Sequence, residues 1–345
     1  MADKERRGHR PPSGSKVRTK AMPRRSPKIK QQRSEEFSTL FSLAACIGVL
    51  VLATFTIISV FDERNMLEIL SGAGLTDSVL ASDNLQLYLN DEAVPAAASP
   101  NEVVDKYLVD QINATTHEYD WGKLHIDGNH RYYGEDETII SKTGIDVSYY
   151  QEEIDWQKVK AAGIEFAIIR VGFRGYVSGT LVLDSQYANN IKGATEAGID
   201  VGLYFFTQAV TVEEAVEEAN FVLDNIGDYD IKYPIVIDTE AIDDTSARSQ
   251  NANLSPDELT DICIAFCDTI DAAGYHSSIY ASKNWFLTQL NLERLENYDK
   301  WLAHYTDVTS YPFEFDIWQY TDKGTVDGIN GNVDMNLCFR NYDTE

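Results

Sequence analysis

The chain has 345 residues, enough for one large domain with appendages, and a net charge of −26. Its acidic bulk argues against a nucleic-acid partner. Four cysteines without metal-ligand spacing exclude a disulfide scaffold, and no H-E-x-x-H or G-x-S-x-G sequence supports a zinc protease or a serine hydrolase.

The charge is unevenly distributed. Residues 1–36 hold twelve Lys/Arg against four Asp/Glu, whereas the remainder holds 17 basic and 51 acidic residues. Phe37 to Phe61 is a run of 25 residues without a charge. As a helix rising about 1.5 Å per residue, it is long enough to cross a hydrocarbon core of roughly 30 Å. A cleaved signal peptide has a shorter positive region and a shorter apolar core. A buried core helix fits poorly beside so basic and proline-rich a flank. The run therefore reads as a single transmembrane signal-anchor, 37–61, that contacts the lipid bilayer. The basic tail 1–36 stays in the cytoplasm, and everything after residue 61 lies outside the cell. The tail also suits anionic headgroups.

Residues 62–143 read as an extracellular spacer. Ala93-Val-Pro-Ala-Ala-Ala-Ser-Pro100 has linker composition. Met66–Leu70 and Val103–Ile112 suit short helices, and Trp121–Tyr133 suits a small hairpin around Asp127-Gly128.

From Gly144 onward strands alternate with helices, the pattern of an α/β domain spanning 144–345 with a mostly parallel sheet. The expected strands are Thr143–Val147, Phe166–Val171, Val201–Phe206, Tyr233–Asp238, Ser278–Ala281, Trp301–Tyr305, Phe315–Tyr320 and Val333–Leu337. The expected helices are Trp156–Ala162, Asp184–Ala197, Val212–Ile226, Pro256–Ala273 and Asn284–Leu290. The fourth helix is the best signposted, with Ser255 as N-cap, Pro256 at its first position, Glu258 completing a capping box and Gly274 ending it. Cys263 and Cys267 share its apolar stripe and read as small core residues. Five strand–helix units followed by three strands close an irregular TIM-like barrel. In such barrels chemistry sits at the C-terminal strand ends.

Acids and aromatics gather at those ends. Tyr233-Pro-Ile-Val-Ile-Asp-Thr-Glu240 places Asp238 and Glu240 on one side of the end of an apolar strand. Glycoside cleavage needs such a pair, one acid to protonate the leaving oxygen and one carboxylate to stabilise positive charge at the sugar carbon. A salt-bridged or solvated surface pair would share this sequence. Asp146 also fits a strand-end cap, and Asp334 a turn residue. Tyr204, Tyr280, Trp301, Tyr305, Trp318 and Tyr320 suit barrel core as well as sugar stacking. Gln319 suits a sugar hydroxyl.

Gly144-Ile-Asp-Val-Ser-Tyr-Tyr-Gln151, Asp238-x-Glu240, Trp301-Leu-Ala-His-Tyr305, Trp318-Gln-Tyr320 and Val333-Asp334-Met-Asn336 together resemble glycoside hydrolase family 25, the N-acetylmuramidases. The resemblance covers about residues 144–340. It implies a barrel of five helices and eight strands, and cleavage of the β-1,4 bond between N-acetylmuramic acid and N-acetylglucosamine in peptidoglycan. By position it makes Glu240 the proton donor and Asp238 the carboxylate supporting the cation or the acetamido group. Asp146 and Asp334 become the further acids of the site. Many members carry Lys-x-Thr-Glu-Gly after strand two. This chain has Arg170-Val-Gly-Phe-Arg-Gly175, which leaves the roles of Arg170 and Arg174 in substrate binding open. Chitinase-type barrels carry another Asp at the position of Val236, which argues against that activity.

Strands one and eight adjoin in a closed barrel, so Asp146 and Asp334 should approach each other. Four carboxylates in one cleft raise at least one pKa. The expectation assigns that rise to Glu240 and keeps Asp238 ionised. No cofactor or metal is required by this chemistry. A lytic toxin of phage type and a silent glycan-binding module are the competing readings.

Overall fold

The computed structural model describes residues 109–110, 112–135, 138–242 and 244–342. The apolar run 37–61, the tail 1–36, the linker 93–100 and the helix expected at 66–70 lie outside the described residues. Among the described residues no helix is long and apolar enough to cross a membrane.

Eight strands form a closed barrel. They are β4 (Lys142–Val147), β5 (Phe166–Arg174), β7 (Asp200–Phe206), β8 (Ile235–Asp238), β9 (Ser277–Ser282), β10 (Asp299–Ala303), β11 (Ile317–Gly324) and β12 (Val333–Cys338). Their order is β4-β12-β11-β10-β9-β8-β7-β5, and β5 pairs with β4 to close the ring. A short strand β6 (Leu181–Leu183) folds back on β5 outside the ring. β5 and β8 are buried along nearly their whole length, as parallel strands covered on both faces must be.

One strand departs from the expected direction. β12 runs antiparallel to both β11 and β4. Asp334 therefore reaches the mouth from the start of its strand rather than its C-terminal end, and it lies opposite Asp146 in register.

The five expected helices are present as α1 (Trp156–Ala161), α2 (Tyr187–Glu196), α3 (Val212–Asn225), α5 (Pro256–Ala272) and α6 (Lys283–Gln289). A sixth, α4 (Arg248–Ala252), is short and polar, with no apolar stripe to announce it. The capping box of α5 forms as expected, with the Glu258 carboxylate accepting from the Ser255 amide at 2.8 Å. Cys263 and Cys267 are free thiols with no exposure to solvent. Gly144 is dictated by packing, since a Cβ there would lie 2.3 Å from the Phe166 ring. That ring stacks on Tyr233 at 4.3 Å in the barrel interior.

The hairpin expected around Asp127-Gly128 is formed by β1 (Leu124–Asp127) and β2 (His130–Glu135), with β3 (Thr138–Ile139) beside it. The described part of 112–142 does not hang free of the barrel. Thr116 bridges Phe313, and Tyr119 stacks on Phe339 at 4.2 Å. Trp121 meets Trp318 edge-on at 5.8 Å.

Candidate active site

The barrel mouth holds a cleft of about 630 Å³ lined by Asp146, Asp238, Glu240 and Asp334 together. Asp238 is the last residue of β8, in register with Phe206 of β7 and Tyr280 of β9. It is 6% exposed, and its Oδ1 is buried without a hydrogen-bond partner. Glu240, two residues on, is exposed at the mouth, between the walls of the cleft. The side-chain alternation of the strand end carries both acids into the same space.

A hydrogen-bonded network orients Asp146. Its Oδ2 accepts from Gln319 Nε2 at 2.8 Å and from Asn336 Nδ2 at 2.7 Å. The Asn336 carbonyl in turn accepts from the Trp301 indole at 2.8 Å. Gln319 Oε1 accepts from the hydroxyls of Tyr280 and Tyr305, each at 2.9 Å. Apart from Tyr305, which lies just after β10, each side chain of the network stands on a different strand, so the network depends on barrel closure.

The electrostatics differ from the sequence expectation. Burial pushes all four carboxyls above the ordinary range, not Glu240 alone. Glu240, although exposed at the mouth, rises to about 6 because the cleft walls desolvate its carboxyl, with the Asp334 charge adding to the rise. Asp146 also rises to about 6 through burial, opposed by the bonds from Asn336 and Gln319. Burial, then Asp146 and Asp322, lifts Asp334 to about 8. Asp238, expected to stay ionised, is pushed well up by burial and by Glu240 and Asp146, with Arg170 pulling the other way. The apolar floor and the mutual repulsion leave the cluster with fewer than four charges near neutrality.

Residues 145–329 match the model of the family described as Glycosyl hydrolases family 25. The chain belongs to glycosyl hydrolase family 25. It is 29% identical over 200 residues to the uncharacterized protein YegX of Escherichia coli, covering 56% of this chain and 68% of YegX. It is 28% identical over 204 residues to Lysozyme M1 of Streptomyces globisporus, covering 56% of this chain and 66% of that lysozyme. Among solved structures it resembles the modular autolysin LytC of Streptococcus pneumoniae, whose structure in complex with a synthetic peptidoglycan ligand is known. That likeness has a TM-score of 0.51 at 26% identity and covers 62% of this chain. The chain spans 51% of the autolysin's length.

The family 25 cleft gathers ten of the twelve residues expected from sequence. Besides the four acids these are Tyr204, Tyr280, Trp301, Tyr305, Gln319 and Arg170. Trp318 and Tyr320 are corrections, because alternation along β11 turns Gln319 inward and both aromatics outward. The Trp318 indole donates to the His304 carbonyl at 2.9 Å, and the Tyr320 hydroxyl to the Asn129 carbonyl at 2.8 Å. They are buried because the hairpin covers them, not because they line the barrel.

The two open arginines separate. Arg170 lines the cleft, with its Nε donating to Asp184 at 2.8 Å and its guanidinium 4.9 Å from the Tyr149 ring centroid. Arg174 is tied behind the wall to Glu218 at 2.7 Å and Glu217 at 2.8 Å, and does not line the cleft. Tyr149 and Tyr150, their rings tilted with centroids 4.1 Å apart, also line the cleft. Tyr150 is 70% exposed, a face open to a sugar ring. Adjacent aromatics in a loop directly after a barrel strand were the available signal. Asn336 was missed as well, since its role depends on Trp301 and Asp146 converging on it.

Proposed function

We propose that this protein is a peptidoglycan hydrolase that cleaves the β-1,4 bond between N-acetylmuramic acid and N-acetylglucosamine. The observation that carries the reading is the convergence of four carboxylates on one cleft, with Glu240 exposed above a buried Asp238. Membership of family 25 supports the reaction class. The peptidoglycan ligand of the pneumococcal autolysin supports the substrate class.

Glu240 donates its proton to the leaving glycosidic oxygen and is protonated below a pH of about 6. As that bond breaks, the oxygen of the substrate's own 2-acetamido group attacks the sugar carbon. The acetamido N–H meets the carboxylate of Asp238, which lines the cleft, orients the group and is favoured in its charged form by that bond. Water, deprotonated by Glu240, then opens the cyclic intermediate with net retention. Proton NMR of the first-formed anomer tests this route, and an initial α product would exclude it.

The segment 37–61 supports an extracellular catalytic domain tethered to the cell membrane, with the barrel at 144–345 and the tail at 1–36 inside. Such a tether confines the enzyme to its own wall and suits remodelling. Membrane fractionation and protease protection test this topology; a chain recovered wholly in the aqueous fraction would overturn it.

The reaction itself is tested by incubating the full chain with purified peptidoglycan and measuring reducing ends. The wild type should release them, and Glu240→Gln should lower the rate about 10²- to 10⁴-fold. Binding without release by the wild type would make the domain a silent glycan-binding module. Equal release by both forms would remove Glu240 from the role of acid.

A further inference from the structure

The hairpin segment 112–142 precedes the region matched to the family, and it clamps one particular loop of the barrel. That loop, 304–316, joins β10 to β11 and carries Tyr305 at the rim of the cleft. The clamp has two parts. At the far end of the loop the His117 amide donates to the Pro312 carbonyl and the Glu314 amide to the Thr115 carbonyl, each at 3.0 Å. At the near end a single side chain, Arg131 of β2, reaches the turn that holds Tyr305.

Arg131 is 6% exposed. Its Nη2 donates to the Thr306 carbonyl at 3.2 Å and to Asp307 Oδ1 at 3.0 Å. Its guanidinium lies 4.1 Å from the Tyr320 ring centroid and 5.5 Å from that of Trp318. The Trp318 indole holds the His304 carbonyl from below. The residues flanking Tyr305 are therefore tied on both sides from the outer face of the barrel, one by the hairpin and the other by β11. Within the wall the Tyr305 hydroxyl donates to Gln319, which donates to Asp146.

We propose that Arg131 is a positioning residue of the hydrolase: by fixing the turn at Thr306–Asp307 it places Tyr305 on the cleft. Its effect on substrate rests on the glycan-cleaving reading above, while the fixing of the turn does not. The guanidinium is planar, permanently charged and stacked on two rings, so its direction is set before substrate arrives. A rigid rim removes an ordering cost that a mobile loop would meet on binding. Tyr305 is half exposed at 52%, and besides the turn it is held by the bond from its hydroxyl to Gln319.

The test compares the full chain with Arg131→Met, Arg131→Lys, Asp307→Ala and Tyr305→Ala by amide hydrogen exchange and by kinetics on peptidoglycan. Arg131→Met keeps the apolar packing on the two rings. It should speed exchange at the amides of 304–309 about tenfold, leaving those of β9 unchanged. KM should rise about three- to tenfold with kcat changed less than about twofold, and Arg131→Lys should recover part of the loss. In the Tyr305→Ala background the same change should leave KM where it was, because the effect passes through that ring.

Unchanged exchange at 304–309 overturns the proposal, as does an equal KM effect with and without Tyr305. Faster exchange throughout the barrel would make Arg131 a stability residue and also overturn it. If Arg131→Met does not fold, Asp307→Ala removes only the exposed end of the contact and must still loosen 304–309. A wild type that is inactive on the polymer, with exchange behaving as expected, refutes the hydrolase reading and upholds the fixing of the turn.

Discussion

Asn336→Ala probes the network that orients the cleft. Asn336 has no exposure and gives one bond to Asp146 at 2.7 Å while taking one from the Trp301 indole at 2.8 Å. Alanine leaves the indole N–H unpaired in a dry interior, at a cost of about 1–3 kcal/mol. The lost bond to the Asp146 carboxylate adds about 1.5–3 kcal/mol when that group is charged. The second contribution depends on pH, and its sign follows from the direction of the shift. Asp146 has a folded pKa raised to about 6. Its contribution to stability is fully present below the unfolded pKa, and is lost as pH rises through the folded value. Asn336 opposes that rise by bonding the carboxylate. Without it the folded pKa climbs further, so the loss of stability above pH 6 deepens. At pH 4 the carboxyl is protonated in both proteins, and the indole penalty dominates. Thermal unfolding followed by near-ultraviolet circular dichroism should show Tm lowered by about 3–8 °C at pH 4 and clearly more at pH 8. Equal shifts at the two pH values would refute the account of Asp146. A shift below about 2 °C at both would refute the network itself.

Removal of a neighbouring charge should move the pH profile of hydrolysis. Because Glu240 must carry a proton, kcat/KM should fall as pH rises through about 6. Glu240 and Asp334 repel when both are charged, so each holds the other's proton on; Asp334→Asn should carry the falling limb to lower pH, and a limb left in place would contradict that repulsion. Gln319→Leu strands the Tyr280 and Tyr305 hydroxyls and leaves Asp146 with Asn336 alone. Catalytic efficiency should drop about tenfold or more, and wild-type kinetics would show that the network is idle. Tyr320→Phe removes the hydroxyl's bond to the Asn129 carbonyl and its contact with Arg131, while keeping the ring that Arg131 covers. It should cost about 0.5–1.5 kcal/mol in denaturant unfolding and change kcat less than about twofold; a loss of kcat would return Tyr320 to the cleft.

The chain order of residues determined a good deal by itself. Apolar β-branched runs alternating with helical stripes mark the barrel, because parallel strands buried on both faces leave that trace. Asp238 and Glu240 could be paired from spacing alone, since two residues along a strand end share a side. The helix from Ser255 to Gly274 was legible because caps and stops are local chemistry.

Other features depend on contacts between distant segments. Period-two alternation separates Gln319 from Trp318 and Tyr320 but does not say which set faces inward. Here both faces of β11 are buried, one by the cleft wall and the other by a hairpin nearly two hundred residues earlier in the chain. The reversal of β12 left its composition unchanged, because a strand's residues do not encode its direction. The upward pull on the Asp238 carboxyl could not be read from sequence for a related reason. Burial and the nearness of other carboxylates are properties of the closed barrel, and they exist only once strands distant in sequence have met.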